Sequence, residues 1–464
     1  MRMQARLLLL LCAALLLPAC STQKGGPGVT VPVEYYTLEN GLRVVLSPDA
    51  TAPTVVVAVY YNIGFRIEPR DRTGFAHLFE HMMFQGSENL GKMEFIRLVQ
   101  SNGGILNGST RFDFTNYFQV VPAHKLETIL WAEADRMRGL NITQENLINQ
   151  QGVVINEVKV NVLNQPYGGF PWLDMPQYAN TNWYNAHNFY GDLADLESAT
   201  LEDVRSFFTT YYAPNNAVLV VTGDFEPARA REHIARYFSA IPPAARPPAP
   251  DLREPRQEEP RRFAKDDSLA SQPAFCFAYH MPERNTPEYY AMGLIDQMLL
   301  QGDDSMLREA LVRERGMTGS VDGGINLLGN MFNYNGPMLW MGYLFHDGST
   351  PADSVAAVAE QVIERLRTTP VDEAALDRAR VKYRAWLYST LGSYFGVGKA
   401  DLLASFALFD DDPSRINRIE EMLDGVTPEM IRSTAQEYLR PGNRTILAVN
   451  PTRSLSRKEE QYVH

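Results

Sequence analysis

The sequence has little cysteine, a deficit of positive charge and few long apolar runs, and each shortage excludes a class of protein. Only 3 of 464 residues are cysteine, which excludes a fold held together by disulfides. Acidic residues outnumber basic ones by 55 to 43, which argues against nucleic acid as a partner because phosphate binding needs clustered lysine and arginine. Beyond the N-terminal segment, no apolar run is long enough to cross a bilayer. The composition therefore favours a globular protein with a sizeable core.

The first residues have the pattern of a secretory signal. Two arginines precede an apolar run over 7–17, and the letters LPAC close it at 17–20. This run is too short to span a membrane, so we predict a signal peptide over 1–19. LPAC resembles the bacterial lipobox, whose cysteine carries lipid. We therefore expect lipidation at Cys20 and a lipid anchor in the bacterial cell envelope, at the outer membrane facing the periplasm. The alternative is a plain cleaved signal with an incidental cysteine.

Proline marks a break near the middle of the chain. Seven prolines fall within 242–260, and this composition is typical of an extended linker. The pieces on either side have similar lengths. The division that we expect is a tether over 20–31, a first domain over 32–240, a linker over 241–265, a second domain over 266–451 and a polar tail over 452–464.

The two halves share sequence. TLEDVRSFFTTYYAPNN at 200–216 and TPEMIRSTAQEYLRPGN at 427–443 have seven identical positions at a constant offset of 227. An apolar run follows each, so the common unit is an N-capped helix, a turn and a buried strand. LFEHMMFQG at 78–86 matches LIDQMLLQG at 294–302 in the same order, which favours a duplication. We expect an α+β fold of two homologous domains, each with a mixed or antiparallel sheet packed against helices.

The most specific motif is HLFEH at 77–81. Apolar residues at i, i+3, i+4, i+7 and i+8 predict a helix here, with Thr73 capping its start. His77, Glu80 and His81 then lie on an adjacent stripe, one turn apart. Two imidazoles at i and i+4 can chelate one metal ion, and imidazole with carboxylate suits zinc. The alternative is a pair of surface histidines that flank a glutamate.

H-x-x-E-H is the inverse of the H-E-x-x-H zincin signature. With this motif the chain resembles the pitrilysin/insulinase family of zinc metallopeptidases, in its half-length bacterial form related to mitochondrial processing peptidase. The resemblance implies one zinc ion per chain and two homologous domains that form half of a clamshell. It runs over about 32–450, through GFAHLFEHMMFQG, NGSTRFDFTNYFQVVP, AEADRM, NQQGVVINEVKVNVLNQPYG, YYAPNNAVLVVTGDFEP and DSMLREALVRERGMTGSV.

The resemblance also implies a third zinc ligand and a reaction. The family takes this ligand from a downstream helix, and the matching residue is Glu157 in VVINE at 153–157. Three protein ligands are typical of a catalytic zinc site. Glu80 is then the general base that takes a proton from water activated by zinc, in a metalloendopeptidase acting on peptides or unfolded segments. Gln150 stands where many full-length relatives have a second glutamate, so that auxiliary carboxylate is missing.

The expected substrate contacts come from two segments. The segment Asn107-Gly108-Ser109-Thr110 resembles the family's N-A-S/T segment, an edge strand that pairs with the substrate backbone, and we expect Asn107, Gly108 and Ser109 to contact the substrate. The alternative is a strand end with turn chemistry. In the second half, Arg313 matches a family arginine that reaches across to substrate, whereas Gly319 stands where the family has tyrosine. Help to the transition state from that tyrosine is therefore in doubt.

The second half lacks the metal-binding residues of the first. At an offset of 216, the residues that correspond to the motif are Gly293, Asp296 and Gln297. Without imidazoles this copy cannot hold the metal, so we expect it to be a wall of the substrate chamber. Half-length relatives close the chamber by pairing, so the expected partner is a second copy or, as the favoured case, a second half-length family subunit.

Two other functions compete with the peptidase. One is a non-catalytic subunit that binds peptides or assists assembly, and the other is an envelope protein that binds metal without hydrolysis. The complete set of His77, Glu80, His81 and Glu157 argues against the first, since a subunit without activity does not need all four. The second needs zinc but not Glu80, so a Glu80→Gln variant separates it from an enzyme.

Overall fold

The computed structural model describes residues 29–452. These residues form two mixed β-sheets. Within the first sheet β2 and β6 run parallel, and the other neighbours run antiparallel. The sheet contains β1 (Glu34–Thr37), β2 (Arg43–Pro48), β3 (Thr54–Tyr61), β4 (Ile105–Thr110), β5 (Thr115–Pro122) and β6 (Ala217–Gly223), in the order β1-β2-β6-β3-β5-β4. This order makes β4 an edge strand.

The second sheet repeats the first, strand for strand, without a counterpart of β1. It contains β7 (Arg261–Asp267), β8 (Ala274–His280), β9 (Asp322–Ile325), β10 (Leu339–Phe345) and β11 (Arg444–Pro451), in the order β7-β11-β8-β10-β9. Here β7 and β11 are the parallel pair, and the other pairs are antiparallel. The predicted α+β fold of two homologous domains is confirmed.

Helices cover the sheets of both domains. The first domain has α1 (Phe75–Met82), α2 (Glu94–Ser101), α3 (Leu126–Arg138), α4 (Gln144–Val158), α5 (Asp174–Ala179), α6 (Trp183–Ala186), α7 (Leu193–Ser198), α8 (Leu201–Tyr211) and α9 (Pro227–Phe238). The second has α10 (Pro287–Leu299), α11 (Met306–Arg308), α12 (Ala352–Thr368), α13 (Glu373–Gly392), α14 (Val397–Asp410), α15 (Ile419–Asp424) and α16 (Pro428–Tyr438). Wider π turns continue α4 over Lys159–Leu163 and α11 over Glu309–Glu314. Short 3-10 segments occur at Phe65–Ile67, Ala123–Lys125, Pro214–Asn216, Ser393–Gly396, Pro413–Arg418 and Pro441–Asn443.

The first sheet is buried on both faces. Successive side chains of a strand point to opposite faces, and along β3 one set, which includes Val55 and Val57, packs into the core beneath α1 and α3. The other set, which includes Val56 and Tyr60, joins the core of the second domain, where α14 contacts β3 and β6. The uninterrupted apolar sequence of β3 follows from this double burial.

The repeated segments adopt the same local structure. Thr200 caps α8 through the N–H of Asp203, and Thr427 caps α16 through the N–H of Met430. Each helix leads through a 3-10 turn into a buried strand, β6 or β11. The predicted unit of capped helix, turn and strand is therefore present in both domains.

The connection between the domains is extended and attached to the first domain. Residues 242–260 contain no helix or strand, and β7 begins at Arg261. The Glu254 carboxylate of this connection accepts hydrogen bonds from the backbone N–H groups of Thr181 (2.9 Å) and Asn182 (2.8 Å). The segment therefore has a fixed path along the protein.

Several predicted features lie outside the described residues. These are the signal peptide over 1–19, Cys20, most of the tether over 20–31 and all but the first residue of the tail over 452–464. Among residues 29–452, no helix combines the length and the apolar character that crossing a membrane requires.

Candidate metal centre

A buried carboxylate, that of Glu68, caps the N-terminus of the helix that carries the HLFEH motif. The backbone N–H groups at the start of α1, those of Gly74 (2.8 Å) and Ala76, donate to Glu68. The predicted cap was wrong: Thr73 makes no cap to α1, and its hydroxyl donates to Asp195. Glu68 takes this place because the preceding turn brings its carboxylate to the free N–H groups. Burial raises the pKa of Glu68 to about 8, while the two backbone donors act in the opposite direction.

Three side chains from two packed helices converge at one point. On α1, the Nε2 atoms of His77 and His81 lie 3.6 Å and 3.3 Å from the two carboxylate oxygens of Glu157 on α4. One potential ligand atom from each residue lies within 4.8 Å of the others. The sequence-predicted ligands are thus brought together across 76 residues of chain, because α1 packs against α4.

The electrostatic state of the cluster suits a metal ion. Burial lowers the pKa of His77, which favours the neutral imidazole that binds metals. A hydrogen bond with His81 lowers the pKa of Glu157, which favours its carboxylate form. Two imidazoles and one carboxylate form a donor set that fits zinc.

Glu80 lies beside this cluster and against β4. Its Oε2 atom accepts a hydrogen bond of 2.7 Å from the hydroxyl of Thr110. A side-chain carbon added at Gly108 would lie 3.3 Å from Cγ of Glu80. The fourth polar residue of the predicted site therefore contacts the edge strand, and the structure places it outside the group of three ligand atoms.

The predicted peptide-binding segment is on the edge strand β4. Asn107 is exposed, and its side-chain oxygen accepts from the backbone N–H of Gly108 (2.9 Å). The hydroxyl of Ser109 donates to Asn116 (2.5 Å) and accepts from Arg111 (3.1 Å). The side chain of Ser109 is thus committed to contacts within the protein, whereas the outer edge of β4 has no strand partner among residues 29–452.

Arg313 is not part of the cluster. It lies in the second domain, on the turn that continues α11, and its guanidinium pairs with Glu309 at 2.8 Å. A side chain at Gly319 would meet no atom within 4 Å. Gln150 is buried in α4 and donates to Asn149.

Sequence reasoning missed three contacts around the centre. Glu68 caps α1, Thr110 binds Glu80, and the ring of Tyr190 lies 5.4 Å from the ring of His77. Of the three, only that of Thr110 could have been found from the sequence. Thr110 lies two residues after Gly108, so in a strand both residues face the same side of the sheet. Glu68 and Tyr190 lie in loops, whose sequences have no periodicity from which the direction of a side chain could be predicted.

The corresponding place in the second domain has a different character. Gly293, Asp296 and Gln297 of α10 line a cavity of about 280 Å³ next to β9. The Asp296 carboxylate accepts a hydrogen bond of 2.8 Å from the indole N–H of Trp340. Within the described part of the chain, no histidine is among the residues that line this cavity.

Comparisons with known proteins match two stretches of the chain. Residues 43–182 match the family described as insulinase (peptidase family M16), and residues 198–383 match the one described as peptidase M16 inactive domain. The zinc protease PqqE of Helicobacter pylori is 26% identical over 428 residues, which cover 90% of this chain and 93% of that protein. The mitochondrial-processing peptidase subunit beta of Lentinula edodes is 22% identical over 415 residues, which cover 88% and 87%.

Solved structures show the same fold. A protease from Helicobacter pylori superposes with a TM-score of 0.83 at 24% identity, over 91% of this chain and all of that chain. The periplasmic protease PqqL of Escherichia coli superposes with a TM-score of 0.73 at 16% identity, over 91% of this chain but only 48% of its own length. The chain is thus a homologue of the zinc proteases of the insulinase family, peptidase family M16, and has the two-domain fold of their half-length members.

Proposed function

We propose that the chain is a zinc-dependent metalloendopeptidase of the bacterial cell envelope that hydrolyses peptides or unfolded polypeptide segments. The observation that carries this proposal is the convergence of His77, His81 and Glu157, with the Glu80 carboxylate beside them. Three protein donors is the number typical of catalytic zinc sites, whereas structural sites have four. A family relative that matches over most of its length is itself named a zinc protease.

The residues of the centre would have two roles, metal binding and proton transfer. His77, His81 and Glu157 would hold the zinc ion, which supplies a Lewis acid that activates water and polarises a peptide carbonyl. Glu80 would accept the proton of the attacking water and pass it to the leaving amine. The outer edge of β4 would hold the peptide in an extended form through backbone hydrogen bonds, which tolerate varied sequences.

The competing function is a non-catalytic subunit that binds peptides. One observation favours it: the space around Gly319 is open where the family has tyrosine. The match named inactive domain covers residues 198–383, which include the second-domain counterpart of the centre and none of the three converging side chains. Because all three converge in the first domain, the peptidase remains the better supported function.

The proposed assembly is a pair of half-length subunits. The fold of this chain corresponds to about half of the PqqL chain, so a second unit of the same size would complete the structure. A relative is named as one subunit of the mitochondrial-processing peptidase, which supports a heterodimer with another half-length subunit over a homodimer. A lipid on Cys20 would hold the pair at the outer membrane, facing the periplasm.

The test compares the wild-type protein with Glu80→Gln in a mixed peptide pool, with cleavage followed by mass spectrometry and zinc by elemental analysis. We expect one zinc ion per chain in both proteins and cleavage by the wild type alone, because Glu80 is not a ligand. Glu157→Gln is the matched control and should lose zinc. Cleavage by Glu80→Gln at the wild-type rate would exclude this mechanism. Zinc without cleavage in the wild type would favour the binding subunit or an obligate partner.

A further inference from the structure

Glu80 is held by a threonine that the proposed reaction does not use. The Thr110 hydroxyl donates to Oε2 of Glu80 at 2.7 Å, whereas its distance to the next acceptor, the carbonyl of Ala76, is 3.5 Å. Thr110 is 8% exposed. Since little water reaches this hydroxyl, its hydrogen bond to a carboxylate is stronger than the same contact at the surface.

The face of β4 that carries Thr110 also leaves space for the Glu80 side chain. Gly108 precedes Thr110 by two residues, so both face α1. A side-chain carbon at Gly108 would lie 3.3 Å from Cγ of Glu80 and 3.2 Å from the ring of Tyr117. Glycine at this position lets the Glu80 side chain lie against the strand, and Thr110 then fixes its far end.

We propose that Thr110 is a positioning residue for Glu80, and that β4 thereby sets the distance between the general base and a peptide bound on its outer edge. The inference rests on the proposed function, in which Glu80 is the base. A glutamate has three rotatable side-chain bonds, and a base must lie within hydrogen-bond reach of the proton that it takes. A displacement of about 1 Å can cost roughly a hundredfold in rate.

The position of β4 in the sheet links peptide binding to the position of Glu80. Among residues 29–452, the strand partner of β4 is β5, which pairs with it from Ile105 to Thr110 on one side. The strand that offers its outer edge to the peptide therefore also carries the hydroxyl that holds the base. A peptide that pairs with β4 is placed relative to Glu80 by a rigid strand, which restricts both reacting partners before the reaction.

The first test measures kcat and KM of Thr110→Val, which keeps the shape of the side chain and removes the donor. We expect kcat to fall roughly ten- to hundredfold while KM and the zinc content stay unchanged. Thr110→Ser keeps the hydroxyl and should restore kcat to within about threefold. An unchanged kcat in Thr110→Val, or a loss in Thr110→Ser as large as in Thr110→Val, would overturn the proposal.

The matched control is Thr115→Val. Thr115 faces Thr110 in the register and is also buried, but its hydroxyl donates to the carbonyl of Ile63. This variant should lower the thermal midpoint without lowering kcat. If it lowers kcat as much as Thr110→Val does, the effect is general to buried threonines of the sheet and the proposal fails.

Two further measurements separate this inference from the proposed function. In a Glu80→Gln background, adding Thr110→Val should leave peptide affinity unchanged, and weakened binding would overturn the positioning role. Crystal structures of zinc-loaded wild type and Thr110→Val test positioning even if the wild type cleaves no peptide. One Glu80 conformer in the wild type and several in the variant support the proposal, and one shared conformer in both contradicts it.

Discussion

Glu80 and Asp296 occupy matching positions on the first helix of their domains, and their surroundings give the two carboxylates different properties. Glu80 contacts a threonine hydroxyl beside the converging imidazoles. Asp296 is 8% exposed and accepts from Trp340, with Gln301 at 3.3 Å. Burial raises the pKa of Asp296 to about 6. The neighbours of a carboxylate, more than its position in the repeat, thus decide its chemistry.

Asp296→Asn should make the protein more stable at alkaline pH. Between about pH 4 and pH 6 the folded protein binds this proton more tightly than the unfolded chain, because the pKa rises from 3.8 to about 6 on folding. The stabilisation is complete below about pH 4 and is lost as the pH rises through about 6. Asparagine keeps an acceptor for Trp340 and carries no charge, so the variant should gain about 3 kcal/mol over wild type near pH 8.

Urea denaturation at about pH 4.5 and about pH 8 checks this prediction. The free energy of unfolding of the variant should exceed that of the wild type by much more at the higher pH, because most of the stabilisation by the bound proton is still present at about pH 4.5. An equal difference at both values would show that the Asp296 carboxyl group does not titrate on folding.

At the scale of elements, both domains contain the same corner, the 3-10 turn that joins a helix to a strand at Pro214–Asn216 and at Pro441–Asn443. The side-chain N–H₂ of Asn216 donates to the carbonyls of Tyr211 (2.9 Å) and Asn62 (3.3 Å). That of Asn443 donates in the same way to the carbonyls of Tyr438 (2.6 Å) and His280 (3.1 Å). Each asparagine ties the end of its helix to the C-terminal end of a neighbouring strand, so the same local structure is present in both domains.

Asn216→Ala and Asn443→Ala should each destabilise the protein by about 2 kcal/mol, because each removes a buried amide that donates to two backbone carbonyls. Thermal unfolding of both variants measures the effect. Asn450→Ala serves as control, since this asparagine is exposed and its contact with Asp266 is at the surface; the expected change is below about 0.5 kcal/mol. Two corner variants as stable as the control would contradict the role of the corner.

At the scale of the whole molecule, buried polar contacts join the two domains. Arg66 of the first domain is 2% exposed and pairs with Asp113 at 3.1 Å. Its guanidinium also donates to the carbonyl of Pro337 in the second domain, and Asp113 accepts from the backbone N–H of Asn335 at 2.7 Å. Tyr60 adds a hydrogen bond of 2.9 Å to Asp401. These contacts fix the second domain relative to the centre in the first.

Arg66→Met should destabilise the protein by about 3–5 kcal/mol, because it leaves the buried Asp113 carboxylate without its counter-charge. The free energy of unfolding in urea measures this loss. Arg253→Met is the matched control: Arg253 is exposed and pairs with an exposed Asp251, so this variant should unfold at the same urea concentration as the wild type. Equal effects of the two variants would contradict the structural role of the buried pair.

The sequence by itself determined the features that depend on neighbouring residues. The periodicity of the chain around 77–81 predicted a helix with two imidazoles and a carboxylate one turn apart, and α1 carries all three. The repeated letters predicted two copies of a capped helix, turn and strand, and both domains contain them. These features were accessible because hydrogen bonds within a helix and the alternation of a strand act over a few residues.

Only the tertiary structure decided which distant groups meet at the centre. Spacing alone gave no reason for Glu157 to face the histidines, and the family resemblance supplied that expectation; the packing of α4 on α1 brings them together. Glu68 replaces the predicted Thr73 cap, and Thr110 reaches Glu80 because β4 is the strand at the edge beside α1. Sequence patterns do not encode such contacts directly, because the order of strands in a sheet depends on the packing of the whole domain.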